Sequence, residues 1–132
     1  MRSGFSEIWL YEFGVDKMTT RIETALADTK ITTPCLVLDR ERIRKNYQEF
    51  CQKMDQVDIF YAVKANPHPD VLALQAAEGA YFDCASFQEI TLALAAGSIP
   101  SKISFSSTLE KTKDINSAYK VGVRHFTFDA SE

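Results

Sequence analysis

The stretch Ile59-Phe60-Tyr61-Ala62-Val63-Lys64-Ala65-Asn66 puts one lysine at the end of an apolar run, and Pro67 and Pro69 break the chain just beyond it. A run that is apolar on both faces predicts a strand covered on both sides, as in a parallel sheet. Burial favours the neutral amine, the form that attacks a carbonyl and makes a Schiff base, so a lysine at such a strand end is a candidate covalent catalyst. The plainer alternative is a lysine that extends its charge past the strand end into water.

Outward from this strand the pattern alternates strand and helix from Pro34 onward. Residues 35–38 read as a short strand, and Asp39 is placed to cap a helix whose Ile43, Tyr47, Phe50 and Met54 are spaced as one buried stripe. After the lysine a helix runs through Val71, Leu72, Leu74 and Ala77, followed by a strand Tyr81–Cys84 and a helix over 87–96. A strand over 103–106, a helix over 111–121 and a strand over 125–129 complete the series, and Gly79, Gly97 and Gly122 each close a helix before the next strand.

The strand ends Lys64, Cys84, Ser106 and Asp129 fall about 20 to 23 residues apart, which suits repeated βα units in a parallel sheet. An open doubly wound sheet and a (β/α)8 barrel both fit that repeat. No GxGxxG or GxxxxGK[ST] follows a strand, which removes the usual reason to favour a nucleotide-binding open sheet. The expected fold is therefore α/β, a partial (β/α)8 TIM barrel with about four of its units. Residues 34–132 are expected to be the N-terminal portion of that barrel, and residues 1–33 an extension or leader, of which the first 17 take no part in the fold.

Composition narrows the function classes. The chain has 132 residues, 45% hydrophobic and 25% charged, an ordinary globular balance. Its net charge of -3, with 15 basic residues scattered along the chain, gives no footprint for nucleic acid or a membrane surface. Neither a signal peptide nor a membrane span is legible. Cys35, Cys51 and Cys84 show no metal spacing and no disulfide framework, and point to reduced thiols in the cytoplasm.

Polar residues gather at strand C-terminal ends, the face where parallel barrels carry their active sites: Lys64, Asp83, Ser104 with Ser106, and Asp129. Alternation puts Lys64 on the face of Ala62 and Phe60, and the small Ala62 leaves room for a flat ring. Asp83, on the next strand at nearly the same height, could hydrogen-bond the lysine and hold its proton; a structural buried ion pair is the alternative. Cys84 reads as a small buried hydrophobe. Ser86 and Glu89 have the spacing of a capping box, with Glu89 reaching back to the Ser86 amide. His68, between two prolines, reads as a solvated loop residue, and His125 as a surface or packing residue.

Taken together, Phe60-Tyr61-Ala62-Val63-Lys64-Ala65-Asn66, Phe82-Asp83-Cys84-Ala85-Ser86 with Glu89-Ile90, and Gly122-Val123-Arg124-His125-Phe126-Thr127-Phe128-Asp129 closely resemble the ornithine decarboxylase branch of the fold type III, alanine-racemase-like pyridoxal-phosphate enzymes. The resemblance implies pyridoxal 5'-phosphate held by Lys64 as a Schiff base, with Ala62 against the cofactor and Asp83 as the lysine's catalytic neighbour. It implies decarboxylation of a basic amino acid, L-ornithine to putrescine, with lysine or meso-diaminopimelate decarboxylation or an antizyme-inhibitor-like binding role as alternatives. It further implies a homodimer in the whole protein, and a β-domain origin for the strand at 35–38. The family's glycine-rich phosphate loop has no counterpart here, and Ser106-Ser107-Thr108 stands where relatives commonly carry a small-Asn pair.

Overall fold

The computed structural model describes residues 8–11, 18–27, 31–32, 34–107 and 111–129. Two compact units divide the chain, Met1–Asn46 and Tyr47–Glu132. In the first, strand β1 (Ile8–Tyr11) is joined through helix α1 (Met18–Leu26) to strand β2 (Leu36–Asp39). The two strands pair in parallel, with Ile8 opposite Leu36 and Tyr11 opposite Asp39. The leading residues, expected to stand outside the fold, thus contribute a strand to the first unit. Asp39 ends β2 and starts helix α2 (Arg40–Lys53), its Oδ1 accepting from the Arg42 amide at 3.0 Å. That is the capping role its position predicts.

The second unit holds strand β3 (Phe60–Ala62), helix α3 (Pro69–Ala77), strand β4 (Tyr81–Cys84), helix α4 (Phe87–Ala95), strand β5 (Ile103–Phe105), helix α5 (Thr112–Lys120) and strand β6 (His125–Phe126). All four strands run parallel, and their order across the sheet is β3-β4-β5-β6. Spatial order that follows chain order means the sheet winds one way without reversing, as consecutive units of a (β/α)8 barrel do and a doubly wound sheet does not.

Pleating separates the two faces of this sheet. Phe82 and Cys84 on β4 and Ile103 and Phe105 on β5 are buried and join Leu72, Ile90, Ala93 and Ala118 of the three helices in one core. The alternate residues Tyr81, Asp83 and Ser104 are only half-buried on the other face. The helices end as the glycines predict: Gly79, Gly97 and Gly122 have φ of 88°, 101° and 101°. Only glycine takes up such values without strain.

Four expectations are corrected. The strand before Lys64 ends at Ala62, and Val63–Ala65 form a 3-10 turn, so Lys64 lies beyond the strand and not on its last residue. Phe60 is exposed, so among the described residues β3 is covered on one side. The stripe on α2 is only partly covered: Ile43 and Tyr47 are half-buried, while Phe50 and Met54 are 57% and 45% exposed. Helical periodicity identifies an apolar face, but a second surface has to cover it, and among the described residues that cover does not extend to Phe50 and Met54. Finally, the strand expected over 125–129 ends at Phe126, and the Thr127 amide makes the last bond to β5, to the Phe105 carbonyl at 3.2 Å.

Candidate active site

Lys64 is set by a turn that the chain builds from its own polar groups. The Tyr61 hydroxyl donates to the Asn66 carbonyl at 3.2 Å, and Asn66 Oδ1 accepts from the His68 amide at 3.1 Å. His68 Nδ1 in turn accepts from the Asp70 amide at 3.3 Å and caps α3, with Pro69 at the first helical position. The expectation of a freely solvated His68 is thereby overturned; the signal for a cap was the proline right after it. Burial pushes the Tyr61 hydroxyl above its usual range. Val63 is anchored in the core, while Lys64 itself is exposed.

On the neighbouring strand, Asp83 stands opposite Ala62 on one side and opposite Ser104 on the other. The small Ala62 and the carboxylate therefore share one row on the sheet face turned away from the helices. The expected hydrogen bond between Asp83 and Lys64 does not form. Asp83 Oδ1 instead accepts from the Ser106 hydroxyl, just beyond β5. The reason lies in the backbone: Lys64 has left the pleat for the 3-10 turn, whereas Ser106 continues the β5 pleat. Asp129 lies three residues past β6 and is exposed, apart from this cluster.

The loop after β4 is fastened by the capping pair. The Glu89 amide donates to Ser86 Oγ at 3.2 Å, and the Glu89 carboxylate accepts from the Ala85 amide at 2.7 Å, not from the expected Ser86 amide. Cys84, beside this loop, is fully buried, and its thiol is pushed up to about 12, chiefly by burial and then by the carboxylates of Glu89 and Asp83. It is a core thiol, as its position in the pleat predicts. Among the described residues no group of three or more His, Cys, Asp or Glu is placed to hold a metal ion. No described helix is long and apolar enough to cross a membrane.

The family model for the pyridoxal binding domain of pyridoxal-dependent decarboxylases matches residues 40–132. The chain belongs to this family. Among the decarboxylase relatives, the chloroplastic ornithine decarboxylase of Nicotiana glutinosa is 37% identical over 117 residues, which cover 89% of this chain and 27% of that protein. Antizyme inhibitor 2 of Xenopus laevis is 36% identical over 93 residues, covering 70% of this chain and 20% of that protein. A crystal structure of lysine decarboxylase from Selenomonas ruminantium matches with a TM-score of 0.76 and 31% identity, over 87% of this chain and 31% of that one. The chain spans about a quarter of the length of the curated decarboxylases it matches.

The cofactor of this decarboxylase domain is pyridoxal phosphate, and the residues at the head of the sheet fit it. Lys64 offers an exposed amine with no hydrogen bond or ion pair to any described residue. Ala62, next to Asp83, leaves unfilled the space that a larger side chain would take. The fit does not extend to the phosphate. The Asp70 amide at the start of α3 is taken by His68, the Glu89 amide in the first turn of α4 by Ser86 and the Ala85 amide just before α4 by Glu89, whose carboxylate adds negative charge at that helix N-terminus.

Proposed function

We propose that the chain forms part of a decarboxylase acting on a basic amino acid, L-ornithine to putrescine, with Lys64 and Asp83 in its active site. The observation that carries this reading is the exposed amine of Lys64, without a partner among the described residues, two residues past the Ala62–Asp83 row in a domain matched to pyridoxal binding. Lys64 would hold the cofactor through its amine, Ala62 would lie against the ring, and Asp83 would hold the proton on Lys64 Nζ. When bound, pyridoxal phosphate supplies the electron sink that lets an amino acid lose its carboxylate. The 37% identity to an ornithine decarboxylase supports ornithine as substrate, ahead of lysine and diaminopimelate. The same resemblance supports a homodimer for the whole protein, and free Cys35, Cys51 and Cys84 support a reducing compartment such as the cytoplasm.

Borohydride reduction after incubation with pyridoxal phosphate, followed by peptide mass mapping, tests the assignment. The expected result is a pyridoxyl group on Lys64 and none after Lys64→Arg, because guanidinium keeps its proton and is not a nucleophile. A label on Lys53 or Lys102 with Lys64 unmodified would overturn it. The likeness to antizyme inhibitor 2 favours a second reading, a binding role without the cofactor, in which Lys64 stays unlabelled.

A further inference from the structure

We propose that Ser106 is a positioning residue for Asp83, and through it for Lys64; the inference rests on the site reading given above. Two independent features support it. The first is the side-chain contact, in which the Ser106 hydroxyl donates to Asp83 Oδ1. The second lies in the backbone. The Ser106 amide donates to the Cys84 carbonyl at 2.9 Å, so the parallel ladder runs one residue past the end of β5. Ser106 therefore keeps the pleat parity of Ser104, the register partner of Asp83, while Phe105 between them is buried in the core at 1% exposure.

An aspartate carboxylate turns about a broad, roughly two-fold torsion, so a hydrogen bond to one oxygen decides where the other faces. Among the described residues Ser106 is the only side chain bonded to Asp83. A hydroxyl bonded to an ionised carboxylate is charge-assisted and stronger than a neutral pair. Ser106 thereby takes up Oδ1 and leaves Asp83 Oδ2 without a bond to any described residue, in the row shared with Ala62, two residues before Lys64. Lys64 makes no bond to any described residue, and Asp83 is the one carboxylate in the Ala62–Asp83–Ser104 row, the group to which the site reading gives the proton on Lys64 Nζ.

The test reads the fraction of Lys64 carrying a borohydride-fixed pyridoxyl group at a fixed, subsaturating concentration of pyridoxal phosphate. Ser106→Ala and Ser106→Val are expected to weaken apparent cofactor affinity about three- to tenfold, less than the full worth of a charge-assisted hydrogen bond because the effect reaches Lys64 only through Asp83. Ser106→Thr, which keeps the hydroxyl in nearly the volume of valine, is expected to retain the parent value. In an Asp83→Asn background, Ser106→Ala should cause no further loss, since its effect runs through the carboxylate. Parental affinity in both Ser106→Ala and Ser106→Val, or an undiminished loss in the Asp83→Asn background, would overturn the proposal. So would a lowered melting temperature with unchanged labelling, which is the signature of a purely structural bond. If the parent chain is labelled elsewhere than Lys64, the site reading fails and this proposal with it; if Lys64 is labelled but indifferent to Ser106, only this proposal fails.

Discussion

At Cys84 the pleat decides the chemistry: one step along β4 from Asp83, the thiol points into the core and its pKa is pushed from 9.0 to about 12. Alkylation with iodoacetamide at pH 8 should therefore modify the half-buried Cys35 and Cys51 and spare Cys84 until the chain unfolds, as intact-mass analysis would show. The pH dependence has a definite sign. The unfolded thiol releases its proton near 9.0 and the folded one near 12, so between those values the unfolded state binds fewer protons. Stability from this residue is complete below pH 9 and falls as pH rises through the window, by roughly 1.4 kcal/mol per pH unit. Tyr47, pushed from 10.0 to about 12 by burial and its bond to Cys51, acts in the same direction. Urea midpoints at pH 8 and pH 10 should thus drop less in Cys84→Ala than in the parent; equal drops would mean that the thiol titrates normally. The contrast with its neighbour was legible in the sequence, since alternation alone sends Asp83 and Cys84 to opposite faces. The partner of Asp83 was not, because a lysine one strand away satisfies the same charge argument as a serine. Only the turn at Val63–Ala65 takes Lys64 out of the pleat.

The helix ends were the most legible elements, because glycine at a positive φ is a local requirement that needs no tertiary information. Gly97 and Gly122 share a φ of 101°, yet their surroundings differ. A Cβ on Gly97 meets nothing within 4 Å, whereas on Gly122 it would lie 3.1 Å from Pro100 Cβ and 3.3 Å from Pro100 Cγ. Gly97→Ala should cost the backbone strain alone, about 1 to 2 kcal/mol, and Gly122→Ala more than that, since the proline ring cannot swing aside. Chemical denaturation of the two variants measures the difference, and an equal loss would mean that Pro100 yields. Strand β4 was read at its true bounds, while β3 was read too long. Hydropathy continues smoothly through Val63, but the bonds among Tyr61, Asn66 and His68 fold the backbone away first, and polar contacts of that kind leave no trace in an apolar period. The stripe on α2 was mistaken for the opposite reason: its pattern is real, and its cover lies outside what periodicity can report.

At the scale of the molecule, the site residues supply an amine and a carboxylate, and the loops after β3 and β4 hold no glycine that would let backbone amides close on a phosphate. The 132-residue chain alone is accordingly expected to release no carbon dioxide from ornithine, lysine or diaminopimelate, even with added pyridoxal phosphate. Phe50, Val57, Phe60 and Phe128 are 57%, 56%, 40% and 85% exposed, so the same preparation should self-associate at micromolar concentration. Light scattering alongside the carbon dioxide assay checks both, and brisk turnover by a monodisperse monomer would contradict them. The sheet also has a kinetic side. Because β3, β4, β5 and β6 stand in space as they follow in the chain, each strand pairs with the one synthesised just before it. A nascent chain leaving the ribosome can lay down such a sheet vectorially, one βα unit at a time, with each new edge serving as the template for the next.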